Sequence, residues 1–162
     1  MPAEDVTVLP FDADPLVLVV DDELTPRSII ARMVRSLGYR ARSCQSGLAA
    51  LRYLKARPGE VRLLLADLGM PRMDGGELAE RAKDLDPSLI AVLMAVPGDP
   101  ALGDLLSGYQ DLPFVPKPVS FVDLGEKLER LLGIPAQPTS PPRSMASARR
   151  RERRRPSGSH QS

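Results

Sequence analysis

One cysteine, Cys44, is all that this chain has. No intrachain disulfide is possible, which suits a reducing compartment. No apolar run approaches the ~20 residues of a membrane span. The first fifteen residues, MPAEDVTVLPFDADP, carry acids and no basic segment ahead of an apolar one, so they are not a secretory signal. Together these absences lead to the expectation of a cytoplasmic protein without a membrane span. No internal repeat stands out either. What is present is ordinary in bulk: 162 residues suit one domain plus tails, and a hydrophobic fraction of 43% is enough for a core.

The formal net charge of +1 hides an asymmetry. From Pro135 onward there are seven arginines and one acid, Glu152, while the preceding part is acidic, with a balance of −5. An acidic body argues against the folded part being a general nucleic-acid binder.

Three wholly or mostly apolar runs are closed by loop residues. Leu16–Val20 (LVLVV) ends in Asp21-Asp22-Glu23, Val61–Ala66 ends in Asp67, and Leu89–Val96 ends in Pro97-Gly98. Such runs read as buried parallel strands. Tyr39–Cys44 reads as a second, less buried strand, and Leu112–Val115 as a last short one. Helical spacing fills the gaps. Thr25-Pro26 is expected to open the first helix, with Thr25 as N-cap and Pro26 at the first helical position. Ser46 caps the second, Glu77–Asp84 forms the third and Asp99-Pro100 starts the fourth. Ser120, with Asp123 three residues on, starts the fifth. Val122, Leu124, Leu128, Leu131 and Leu132 line that last helix, and Gly133 stops it. Strand and helix alternating five times predict an α/β fold, a doubly wound (βα)5 parallel sheet in the flavodoxin-like order 2-1-3-4-5. The expected organisation is a disordered leader over 1–15, one domain over 16–133 and a disordered Pro/Ser/Arg-rich tail over 134–162.

In that order strands one and three are neighbours, so Asp21 and Asp22 come beside Asp67. Three carboxylates in one cleft repel one another, and without a cation at least one tends to hold a proton. They suit a hard cation such as Mg²⁺, which prefers oxygen ligands. The plainer reading is that Asp21, Asp22 and Glu23 only give the first helix negative charge at its N-terminus. That suffices for Glu23. Lys117 lies between two prolines at the end of strand five and could reach a phosphate-like group, though alone it reads as an ordinary solvated lysine. The Lys117-Pro118 bond is a candidate for the cis form.

The motifs VLVVDDE, LLLADLGMPRMDG and FVPKP, in this order and spacing, resemble those of the receiver domain of two-component response regulators. The resemblance covers roughly residues 16–132 and implies the same (βα)5 sandwich. It implies that Asp67 is the phospho-acceptor, taking a phosphoryl group from a phosphohistidine. It implies that Asp22 and Asp67, with the backbone carbonyl of Gly69, bind Mg²⁺ directly and that Asp21 helps through water. It further implies that Lys117 pairs with phosphoryl oxygens and that Phe114 stands at the switch aromatic. The partners implied are a sensor histidine kinase or histidine phosphotransfer protein, together with a downstream protein target. The protein would be a signalling domain in a phosphorelay rather than a turnover enzyme.

One departure stands out. Ala95 occupies the place where the family carries Thr or Ser, and no hydroxyl residue lies between Leu89 and Asp99. Losing one hydrogen bond to a charged group costs on the order of 1.5–3 kcal/mol. Phosphorylation is therefore expected to survive while switching is weakened or altered. The only histidine, His160, lies in the tail, so a stand-alone receiver is expected. A phosphate-independent pseudo-receiver, acting as a protein-binding module, is the alternative that Ala95 supports. A Mg²⁺-dependent phosphohydrolase with an Asp nucleophile ranks last, because such enzymes usually carry Asp-x-Asp after the first strand. The run ARRRERRRP could bind nucleic acid or anionic lipid, but a solubilising end is the favoured reading.

Overall fold

The computed structural model describes residues 15–137. Expectations for the leader before Pro15, and for the tail beyond Gln137, lie outside the described residues. The elements follow in strict alternation: β1 (Leu16–Val20), α1 (Leu24–Ser36), β2 (Arg40–Cys44), α2 (Gly47–Ala56), β3 (Val61–Asp67), α3 (Gly75–Leu85), β4 (Ile90–Ala95), α4 (Pro100–Gly108), β5 (Phe114–Pro116) and α5 (Phe121–Leu132). All strand pairs are parallel, and the order is β2-β1-β3-β4-β5, as expected.

The pleat sends alternate residues to opposite faces. Val17, Val19, Leu63, Leu65, Val92, Met94 and Val115 pack under α1 and α5 with Ile30, Val34, Leu124 and Leu128. Leu16, Leu18, Val20, Leu64 and Ala66 pack under α2 and α3 with Leu51, Leu54 and Leu78. Ala91, Leu93 and Ala95 meet Leu102, Leu105, Leu106 and Tyr109 at α4, which buries none of its own residues fully. A sheet covered on both faces explains why β1, β3 and β4 read as continuous apolar runs. β2 is an edge strand and is half exposed.

Several helix ends are where the side chains place them. Ser46 accepts from the Ala49 amide at 3.1 Å, Asp99 from Ala101 at 2.9 Å and Ser120 from Asp123 at 3.4 Å. Gly133 closes α5 at φ 67°, a left-handed position that suits glycine. The expectation for Thr25 is corrected. Helix α1 begins at Leu24 with Glu23 as N-cap and no side-chain capping bond. Thr25 and Pro26 lie inside the first turn, where a missing amide hydrogen costs nothing because it has no helical partner. Helix α3 starts at Gly75, two residues before the expected Glu77, because Asp74 caps the Glu77 amide at 2.9 Å. Val122, expected to line α5 inward, is 64% exposed. Residues 134–137, assigned above to the tail, fold back on the α1–β2 turn: Tyr39 donates to the Ile134 carbonyl at 2.8 Å and the Gln137 amide to Leu37 at 2.9 Å.

Candidate functional site

The register explains how the site assembles. Val20 pairs with Ala66, so Asp21 and Asp67 are the next residues on adjacent strands. Asp67 pairs with Met94, and Ala95 with Pro116, which brings Lys117 to the same level two strands away. The Lys117 amide donates to the Ala95 carbonyl at 2.8 Å and holds the turn there. The Lys117-Pro118 peptide is cis, as expected. By parity Asp21, Asp67 and Lys117 continue the face of Val19, Leu65 and Val115. All three side chains therefore converge at the strand ends on the side of α1 and α5.

Lys117 Nζ donates to Asp21 Oδ2 at 3.1 Å and stands 3.5 Å from Asp67 Oδ1. Its side chain is only 17% exposed, so the plain reading of a solvated lysine does not hold. Asp21 is fully buried, and its Oδ1 accepts from the Glu23 amide at 3.0 Å. Arg27 donates to the Asp21 carbonyl at 2.8 Å and closes the first turn of α1 over the acid. Asp67 accepts weakly from the Gly69 amide at 3.3 Å. Asp22 is exposed at the rim. Asp21, Asp22 and Asp67 each offer an oxygen within 4.8 Å of the others. That is a hard, all-oxygen donor set with one open side, which fits a divalent cation such as Mg²⁺.

Burial pushes the Asp67 carboxyl above its usual range; Lys117 opposes this and Asp21 adds to it. Burial pulls the other way on Lys117, but the bond to Asp21 and the charge of Asp67 outweigh it, and its pKa is raised. Asp67 is thus a carboxylate kept poor in solvation, one salt bridge away from a fixed cation. Such a group is a competent nucleophile toward phosphorus.

The first two residues of α3, after the loop that follows Asp67, leave no room for a side chain. A Cβ on Gly75 would overlap the Asp67 carbonyl, and one on Gly76 would overlap the ring of Tyr109 at the end of α4. A Cβ on Gly69 would touch Leu102 in the first turn of α4 at 3.4 Å. Helix α4 therefore meets the loop after Asp67 at its first turn and the start of α3 at its end. Ala95 is fully buried on the α4 side of the sheet, and Phe114 is partly buried in the same cluster. Sequence reasoning singled out Gly69 but missed Tyr109, Leu102 and Arg27. Helical periodicity marks Leu102 as apolar without saying that it faces the loop, and nothing local marks the other two.

Comparison with known proteins agrees with this geometry. The family model for the response regulator receiver domain matches residues 17–129. The response regulator receiver protein CpdR of Brucella abortus is 30% identical over 116 residues, which are 72% of this chain and 95% of that protein. The sensor kinase CckA of the same organism is 29% identical over 116 residues, which are only 12% of its length. The crystal structure of the receiver domain of NtrX from Brucella abortus has a TM-score of 0.63 at 27% identity, covering 72% of this chain and 98% of that one.

Proposed function

This chain belongs to the response regulator receiver family, and from that premise we propose that it takes up a phosphoryl group on Asp67. The observation that carries the reading is the meeting of Asp67, Asp21 and Lys117 at the strand ends, with Lys117 Nζ 3.1 and 3.5 Å from the two carboxylates. An Asp67 carboxylate oxygen would attack the phosphorus of a phosphohistidine on a sensor kinase or phosphotransfer protein. The P–N bond breaks, the imidazole nitrogen leaves with its electron pair, and an acyl phosphate forms. Lys117 is placed to exchange part of its contact with Asp67 for one with a phosphoryl oxygen. Asp21, Asp22, Asp67 and the Gly69 carbonyl would hold a Mg²⁺ ion, which supplies charge neutralisation when bound. Phosphoryl transfer needs little beyond such positioning and neutralisation. The reading is of a signalling switch in the cytoplasm, without turnover. In its support, no helix among the described residues is long and apolar enough to cross a membrane.

The product adds a dianion beside the loop on which α4 rests, so α4 and Phe114 are the elements it would bias. Ala95, expected at the place of the hydroxyl, turns its side chain to the α4 side, away from Asp67. The residue that continues the face of Met94 and Asp67 is Val96. Neither offers a hydroxyl to that dianion, which favours a second reading, a pseudo-receiver that binds a partner protein regardless of phosphate. Intact-protein mass after incubation with acetyl phosphate and Mg²⁺ separates the two. A single adduct that requires Mg²⁺ and is absent from Asp67→Asn is the expected result. Its absence from folded, Mg²⁺-binding protein would leave the pseudo-receiver.

A further inference from the structure

Asp21 is held on every side. Its amide donates to the Cys44 carbonyl at 3.3 Å, its Oδ1 accepts from the Glu23 amide at 3.0 Å and its Oδ2 from Lys117 at 3.1 Å. Asp22, the next residue, has no such support. Its side chain is exposed and forms no ion pair among the described residues. Yet one of its carboxylate oxygens lies within 4.8 Å of oxygens on both Asp21 and Asp67. Like charges at that range repel, and an exposed side chain relieves the repulsion by turning outward. The aim of Asp22 therefore comes from its backbone.

Asp21 and Asp22 share one planar peptide unit, so the direction of the Asp21 carbonyl also sets where the Asp22 Cα stands. Arg27 on α1 donates from Nη1 to that carbonyl at 2.8 Å. Its own amide donates to the Glu23 carbonyl at 3.2 Å. Side chain and backbone of one residue thus bracket the Asp21–Glu23 turn. A guanidinium normally seeks carboxylates. Asp22 and Glu23 are both exposed and close in sequence, but among the described residues Arg27 pairs with neither. Its bond goes to a neutral carbonyl instead. As a charge it works against the site, because a cation held by Asp22 and Asp67 is repelled by a guanidinium.

We propose that Arg27 is a positioning residue for the cation site: by fixing the Asp21–Asp22 peptide it aims the Asp22 carboxylate at Asp67. The inference rests on the reading that Asp21, Asp22 and Asp67 take up Mg²⁺. Charge and geometry predict opposite results when Arg27 is replaced. If it acted through charge alone, its removal would tighten the cation. Acting through the peptide, it leaves Asp22 free to turn away, and the cation loosens. Losing an outer support of a metal ligand costs roughly 10–100-fold in affinity. The opposing charge effect is smaller, because Arg27 is half-buried at a rim open to water, where salt screens it. The net expectation is a loosening at the low end of that range.

The test is an NMR titration of the full chain with MgCl₂ at constant ionic strength. It is read at the Glu23 and Gly69 amides, which donate to Asp21 and Asp67. Arg27→Met keeps the apolar stem and removes both charge and donor. Its Mg²⁺ dissociation constant should rise about tenfold, and the Mg²⁺ needed for a half-maximal Asp67 adduct should rise with it. Arg27→Gln is a second neutral variant with the same expected direction, and it keeps the test open if Arg27→Met does not fold. Arg27→Lys retains charge and a donor and should fall between parent and Arg27→Met. An affinity unchanged or tighter in the folded neutral variants would overturn the proposal, even if their urea stability falls, because Arg27 would then be structural or act by charge. A parent protein without any Mg²⁺-dependent shift would overturn the cation reading and this inference together. A parent that binds, beside neutral variants that bind as well, overturns the inference alone.

Discussion

Gly76 is the position where sequence and packing meet most closely. It is the second residue of α3, and the ring of Tyr109 lies where its Cβ would be. Gly76→Ala has two opposed effects. Relieving a helical glycine is worth roughly 0.5–1 kcal/mol, less in a first turn. Forcing the ring aside costs about 1–3 kcal/mol, the range for overpacking a filled site. The ring ends a side chain and can swing outward, so the packing it loses sets the upper bound. The net expectation is a destabilisation of about 0.5–2 kcal/mol. In a Tyr109→Ala background the obstruction is gone, and Gly76→Ala should then stabilise by up to about 1 kcal/mol. Urea unfolding of the four proteins yields the coupling, expected at about 1–3 kcal/mol. If Gly76→Ala stabilises the parent protein, or acts alike in both backgrounds, the account of Tyr109 packed on the start of α3 is wrong. Hydrogen exchange adds a second readout, because expelling the ring should raise exchange in α4 selectively.

Other expectations follow from single contacts. Lys117→Met leaves the fully buried Asp21 with only the Glu23 amide, so stability should fall by about 2 kcal/mol without metal and recover in part with Mg²⁺. Tyr39→Phe removes the bond to Ile134 and should cost about 1 kcal/mol by urea unfolding. Burial, and then the charge of Glu129, raise the Tyr39 phenol above its ordinary value. The stability it contributes is therefore complete below a pH of about 10 and is lost as the pH rises through the higher folded-state value. Tyr39→Phe should make the alkaline limb of a stability–pH curve shallower. Val96→Thr, on the face of Met94 and Asp67, should leave the Asp67 adduct intact and enlarge the phosphate-dependent change in α4 exchange. Unchanged α4 exchange would refute the role given to a hydroxyl there.

The strands and their order were legible in the chain because the sheet is covered on both faces. Leu16–Val20 is apolar throughout since both of its faces are buried, and a run followed at once by acids marks where a parallel strand ends. The acids and Lys117 were legible for the same reason: parallel register carries strand-end residues to one place. Start points of helices were less so. Thr25-Pro26 has the chemistry of a helix opening, but Glu23 already had its amide bound by Asp21, and the helix began two residues earlier. Contacts between elements distant in the chain lay beyond local pattern. Lys117 reads as solvated until β5 is placed two strands from β3, and Tyr109 reads as a loop tyrosine until α4 lies across Gly76. Burial periodicity and strand-end chemistry are local properties and survive in a linear chain. Which side chain fills the space left by a glycine, and which charges share a face, depend on how helices cross the sheet, and only the packed molecule decides that.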